Sequence, residues 1–239
     1  MSLIVQKFGG SSVANAERVM NVASIVTDTY AKGNDVVVVV SAQGDTTDDL
    51  IEKANEINPK ASKREKDMLL AAGEQISISL LAMAIEKLGY HAVSLLGWQA
   101  GFNTTSAHTS ARIRKVEPDR IKKELDKKNI VIVAGFQGIS KYGDITTLGR
   151  GGSDTSAVAI VISLAESFEN ILKARPGIFG TPITEILATS VSLATPLINI
   201  FSILVFSFTI VPEAFVILES TSSSILYFLA ISTERLLRT

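Results

Sequence analysis

Hydrophobic positions along the chain fall into short runs that alternate between the two periods of regular structure. Leu3 to Phe8 is a largely apolar run closed by Gly9-Gly10, and Val13, Val19, Val22, Ala23 and Val26 follow at roughly helical spacing. That order predicts strand, glycine turn and helix. Val36 to Val40 is an unbroken β-branched run, the pattern of a strand buried on both faces of a parallel sheet. It stops at Ser41, and a polar loop, Gln43-Gly44-Asp45-Thr46-Thr47, begins. Ser62 to Leu88 is helix-forming, with Leu69, Leu70, Ile76, Leu80, Leu81, Met83 and Ile85 as apolar positions and Gly73 as an interruption. Gly89 closes it as a C-terminal stop. His91 to Leu96 predicts a strand, Asp119 to Lys128 a charged helix, and Ile130 to Ala134 a buried strand ending at Gly135. After a turn at Lys141 to Asp144, an Ala-, Val- and Ile-rich helix starts near Thr155. Strands alternating with helices predict an α/β fold, a sheet covered by helices on both faces.

Beyond Leu164 the pattern loosens. Ala174-Arg175-Pro176-Gly177 breaks it, and Ile186 to Pro212 is uncharged for 27 residues. That stretch, within which Leu197 to Val211 is almost entirely Ile, Leu, Val and Phe, is long enough for a membrane span of ~20 residues. Pro196, Asn199 and the Ser and Thr content weigh against a span, and Ile225 to Ile231 is too short for one.

Composition sharpens this division. The 239 residues carry 23 Lys and Arg against 24 Asp and Glu, a net charge of -1, yet residues 186–239 hold only Glu213, Glu219, Glu234, Arg235 and Arg238 and no Gly, Asp or Lys. The near-neutral balance leaves no excess of cations to neutralise phosphates, so no nucleic-acid partner is expected. With no cysteine, a disulfide framework, a thiolate metal site and a cysteine nucleophile are excluded. A cytoplasmic location is expected, because the N-terminus lacks the basic start and long apolar core of a signal peptide. Membrane contact would come only through residues 186–231.

Three glycine-containing turns follow three predicted strands: Gly9-Gly10-Ser11-Ser12, Ser41-Ala42-Gln43-Gly44, and Gly149-Arg150-Gly151-Gly152-Ser153-Asp154. In an open parallel sheet, ligands bind beyond the carboxyl ends of the strands, and glycine turns with helix amides suit phosphate. None matches the Walker or the G-x-G-x-x-G pattern. Lys7 lies in an apolar strand end, where a charge needs a partner such as a phosphate; a solvated strand-end lysine is the alternative. Arg150 offers a planar fork for a carboxylate or is a solvent-facing loop residue. Asp154 is a site acid or a first-turn residue complementing the helix dipole, and Glu74 a site carboxylate or a helix surface residue. His91 and His108 have no metal-ligand spacing, so no protein-only metal site is expected. Trp98 and Phe102 flank Gly101 as packing residues.

Together, Lys7-Phe8-Gly9-Gly10-Ser11-Ser12-Val13 and Thr146-Thr147-Leu148-Gly149-Arg150-Gly151-Gly152-Ser153-Asp154-Thr155 closely resemble the two signature segments of aspartate kinases. Ser41 to Asp48, Gly73-Glu74-Gln75 and Gly97-Trp98-Gln99-Ala100-Gly101 match the same family in the same order, so the resemblance covers about residues 2–164. It implies the amino acid kinase fold, a three-layer sandwich with a mainly parallel sheet, here incomplete and followed by an apolar tail. It also implies transfer of the γ-phosphoryl of ATP, carried with Mg²⁺, to the side-chain carboxylate of L-aspartate, giving 4-phospho-L-aspartate for lysine, threonine and methionine synthesis. By the same resemblance Lys7, Phe8, Gly9, Gly10 and Ser11 bind ATP, with Lys7 and the two glycines on its phosphates. Ser41, Thr47, Glu74, Arg150, Gly151, Gly152 and Ser153 bind aspartate, Glu74 meeting its ammonium and Arg150 its α-carboxylate. Lys7 and Asp154 are the catalytic pair, Asp154 organising Lys7 or the reacting centre.

The resemblance divides the chain into residues 1–164, the N-terminal part of a kinase domain; 165–185, a linker or divergent segment; and 186–239, the tail. The family's acidic I-Y-T-D-V-D-G-type segment, which supplies much of the nucleotide pocket, has no counterpart after Leu164, nor is there room for paired regulatory modules, so the homo-oligomeric state is left open. Three readings of the tail follow: a disrupted gene product giving an impaired or inactive remnant, a membrane-anchored fragment, or a divergent completion of the kinase sheet.

Overall fold

The computed structural model describes residues 2–173, 213–221 and 224–231, with side chains through Ala165. These elements belong to one compact unit, Met1–Ser163 with Pro212–Thr239; of a second, Leu164–Val211, only the end of one helix is described.

The central sheet is built on three strands of largely apolar sequence, interrupted only at Gln6, Lys7 and Asp35. β1 (Leu3–Phe8) runs parallel to β2 (Asp35–Val40), in register from Leu3 opposite Asp35 to Phe8 opposite Val40. β2 pairs in parallel with β6 (Ile130–Ala134), and β6 with β3 (Ala92–Leu95). On one face Val36, Val38, Val40, Ile130, Ile132 and Ala134 join a core with α1 (Ala16–Ala31) and α3 (Lys63–Lys87). Val37, Val39, Val131 and Val133 are buried on the other. Each such side chain stabilises the fold by about 1.5–3 kcal/mol when fully buried, which is why the β2 run is unbroken rather than alternating. The β1–α1–β2 and β2–α3–β3 connections advance along the sheet in one direction. The return from β3 to β6 runs the opposite way, so a right-handed crossover puts α4 (Asp119–Asp126) on the second face. The helix starts are specified locally: the Asn15 side chain accepts from the Arg18 N–H at 3.0 Å, and the Ser62 hydroxyl from the Glu65 N–H at 3.4 Å.

A second, four-stranded sheet was not legible as such. β4 (Phe102–Thr104), β5 (Ile113–Val116), β7 (Gln137–Ile139) and β8 (Ile145–Thr147) lie in the order β5-β4-β7-β8, and α3 packs against β8. α2 (Thr46–Ile57) is also unforeseen, and takes Thr46 and Thr47 out of the expected loop. Gly73 does not interrupt α3. The helix is continuous through it, and a Cβ there would stand 2.8 Å from Cβ of Ala42, so glycine lets α3 approach the β2 loop. α5 (Gly152–Lys173) starts three residues before the expected Thr155.

In the tail, β9 (Glu213–Thr221) pairs antiparallel with the outer edge of β1, and β10 (Ser224–Ile231) with β9, giving the order β10-β9-β1-β2-β6-β3. The short apolar run at Ile225 to Ile231 is thus a strand, in an antiparallel hairpin rather than a βα unit. The uncharged stretch 186–212 lies outside the described residues. Among the described residues α3 alone has the length and apolarity of a membrane span, and half of that stretch is buried inside the fold, as in a core helix.

Candidate active site

The carboxyl ends of β1, β2 and β6 lie side by side, and close backbone approaches bind their loops together. The Gly44 N–H donates to the Gly10 carbonyl at 2.9 Å and the Gln43 amide to the Val13 carbonyl at 2.6 Å. A Cβ on Gly10 would stand 2.5 Å from the Ala42 carbonyl oxygen, so glycine is required at this contact. At β6 the Gly135 N–H donates to the Val40 carbonyl at 3.1 Å, and a Cβ on Gly135 would stand 2.7 Å from Cβ of Ser153. This brings the first turn of α5 against the strand ends. The Phe136 N–H donates to Oγ of Ser156 at 3.1 Å, and the Leu148 N–H to the Phe136 carbonyl at 2.7 Å.

A cleft of about 690 Å³ opens here, lined by Lys7, Gly10, Ser41, Thr47, Glu74, Arg150, Gly151, Gly152, Ser153 and Asp154 among others. Ten of the positions expected in the site, drawn from four separate segments, therefore share one cavity. Lys7 points to the face of β1 opposite Phe8, and its Nζ lies 2.9 Å from Oδ1 of Asp154; the two side chains are 12% and 53% exposed. Lys7 is thus a paired cation, not a solvated strand end. Glu74, on α3, is only 3% exposed, which removes its reading as a surface residue. Its Oε1 accepts from the Ala42 N–H at 3.1 Å, its Oε2 has no partner, and burial pushes its carboxyl up to about 7.

Three expected residues are not among those lining the cleft. Phe8 is fully buried in the core, so its side chain faces away. Gly9 is not on the lining, and Ser11 is exposed, with its carbonyl accepting from Nη1 of Arg18 at 2.7 Å. Trp98 is 45% exposed and borders a separate groove of about 280 Å³ with Arg64 and Met68, while Phe102 is fully buried as a packing residue.

One residue escaped notice altogether. Asp67 is completely buried, and its carboxylate accepts from the Thr109 N–H at 3.0 Å on each oxygen, from Oγ1 of Thr147 at 2.5 Å, and meets Nδ1 of His108 at 2.8 Å. Thr109 and Thr147 both line the cleft. Within the charged run Lys63-Arg64-Glu65-Lys66-Asp67 it reads as a solvated helix turn. The available signal was spacing: Asp67 precedes Glu74 by two helical turns, on the same face.

The model of the amino acid kinase family matches residues 2–180. The chain belongs to the amino acid kinase family. It is 55% identical over 181 residues to the aspartokinase of Geobacillus stearothermophilus, covering 76% of this chain and 44% of that one. It is 58% identical over 165 residues to the aspartokinase of Corynebacterium glutamicum, covering 69% and 39%. The aspartate kinase of Synechocystis superposes with a TM-score of 0.59 at 47% identity, over 69% of this chain and 27% of that one. E. coli aspartokinase III in complex with aspartate and ADP shares the fold, with a TM-score of 0.59 at 23% identity, over 69% and 47%. The chain spans less than half the length of the curated relatives it matches.

The cleft separates two kinds of recognition. Lys7 and the Gly10 backbone lie on one wall of the cleft, which the lysine makes cationic and suited to phosphate. Arg150 can bond a carboxylate bidentately, and Glu74 presents an unpartnered buried acceptor suited to an ammonium. Among the described residues no group of three or more His, Cys, Asp or Glu could hold a metal by itself.

Proposed function

We propose that the cleft is the site of an aspartate kinase, in which the side-chain carboxylate of L-aspartate takes the γ-phosphoryl of MgATP to give 4-phospho-L-aspartate. The observation that carries this reading is the convergence of Glu74, Arg150 and the Lys7–Asp154 pair on one cleft at the strand carboxyl ends. Arg150 receives the α-carboxylate and Glu74 the ammonium, leaving the β-carboxylate to face Lys7. A carboxylate is already a competent nucleophile, so the protein's task is to align it with phosphorus and to neutralise charge on the transferred oxygens. Lys7 supplies a fixed cation, held at the cleft wall by Asp154. Magnesium carried with the nucleotide would add further neutralisation.

Hydroxamate formation from ATP, aspartate and hydroxylamine tests this. Aspartate-dependent product that is lost in Arg150→Ala is expected, and product formed equally without aspartate would overturn it. The tail sequence has no acidic segment of the I-Y-T-D-V-D-G type, which favours a second reading: a chain that binds aspartate with little turnover. Saturable aspartate binding without hydroxamate would support that alternative.

A further inference from the structure

Thr109 is a β-branched residue in the left-handed region, with φ of +67°. Such residues avoid that conformation unless surrounding contacts over-determine it. The contacts are those of Asp67: both carboxylate oxygens receive the Thr109 N–H, one also receives the Thr147 hydroxyl, and His108 closes the remaining side. A single buried carboxylate on α3 therefore ties the 105–111 loop to β8, and both tied residues face the cleft that holds Glu74 and Arg150.

We infer that Asp67 is a positioning residue for the acceptor substrate. It holds Thr109 in its left-handed conformation and Thr147 beside it, and so fixes the cleft wall against which the amino-acid substrate is oriented. The inference rests on the functional reading above for the identity of that substrate. The position of the wall itself does not depend on it.

The test uses Asp67→Asn, which keeps the shape but puts a donor where both oxygens accept. Aspartate affinity is read by calorimetry and Thr109 amide exchange by NMR on the same full-length samples. Loss of charge-assisted hydrogen bonds predicts aspartate binding weaker by about tenfold and faster exchange at Thr109. Adding Thr109→Gly to Asp67→Asn relieves the conformational demand and is expected to recover most of the affinity, a rescue that a merely structural role would not give. Should Asp67→Asn fail to fold, Thr109→Pro, which cannot adopt a positive φ, carries the test and is expected to show the same loss. Aspartate affinity unchanged in the folded variant, or no rescue by glycine, overturns the inference. If the unaltered chain binds no aspartate, the functional reading fails; unchanged Thr109 exchange in Asp67→Asn would then overturn the positioning role independently.

Discussion

Replacing Glu74 by Gln should stabilise the empty protein and at the same time remove its affinity for aspartate. The carboxyl is buried among α3 and the Ala42 loop, one oxygen bonded to the Ala42 N–H and the other without a partner, and its pKa rises from 4.5 to about 7 because burial disfavours the charged form. A group whose folded pKa is raised in this way binds its proton more tightly when folded. Below pH 4.5 both states are protonated and nothing is lost; between 4.5 and about 7 the unfolded chain ionises first, so stability falls as pH rises. Each tenfold change in acid strength is worth about 1.4 kcal/mol, so the cost of the ionised carboxylate above pH 7 is on the order of 3 kcal/mol. Gln keeps the acceptor for Ala42 and carries no charge. Urea unfolding of the two proteins across pH 4 to 8.5 should give curves that coincide at the acid end and diverge by on the order of 3 kcal/mol at the alkaline end, the variant being more stable. Parallel curves would refute the assignment of a desolvated carboxylate. An aspartate ammonium beside Glu74 favours the charged form, so aspartate affinity should rise with pH up to about 7, and calorimetry should show proton release on binding.

Three further outcomes are expected. Gly135→Ala places a Cβ 2.9 Å from Cα of Ser153; the α5 turn must shift, costing about 1–3 kcal/mol in denaturant titration and lowering aspartate-dependent turnover. Asp154→Asn breaks a pair whose acidic member is half exposed, so stability should change by less than about 1 kcal/mol. The rate in the hydroxamate assay should nonetheless fall by about a hundredfold as Lys7 loses its anchor; an unchanged rate would remove Asp154 from the machinery. Gly101→Ala combines a φ of +90° with a Cβ 2.0 Å from the Glu117 carbonyl oxygen, and its melting temperature should fall sharply, by on the order of 10 °C, as a backbone clash demands.

The parts of the fold legible in the sequence were those whose burial forces a composition. β2 and β6 are covered on both faces, and only apolar β-branched runs satisfy that demand. The second sheet escaped because β4, β7 and β8 have three residues each, too few for an alternation to show. Gly138 also sits in β7, where a Cβ would stand 2.6 Å from Cγ2 of Thr104. α2 escaped because none of its residues is buried and Ile57 is 88% exposed, so burial imposes no composition on it. Gly73 was misread because an interior glycine marks either a weak helix or a close approach, and only the neighbouring Ala42 distinguishes them.

The site shows the same division in its two buried carboxylates. Asp67 and Glu74 lie two turns apart on one face of α3, both removed from solvent, yet their surroundings assign them opposite tasks. Both oxygens of Asp67 are occupied, by a backbone amide, a hydroxyl and an imidazole. Such a carboxylate has no capacity left for a ligand, and its energy goes into fixing the 105–111 loop. Glu74 has one oxygen bonded and one bare. Leaving a buried acceptor unpaired costs on the order of 1–3 kcal/mol, a cost that an incoming ammonium would remove. Residue type and spacing put both acids on the face that meets the cleft. Only the count of their partners separates the one that shapes the wall from the one that waits for the substrate.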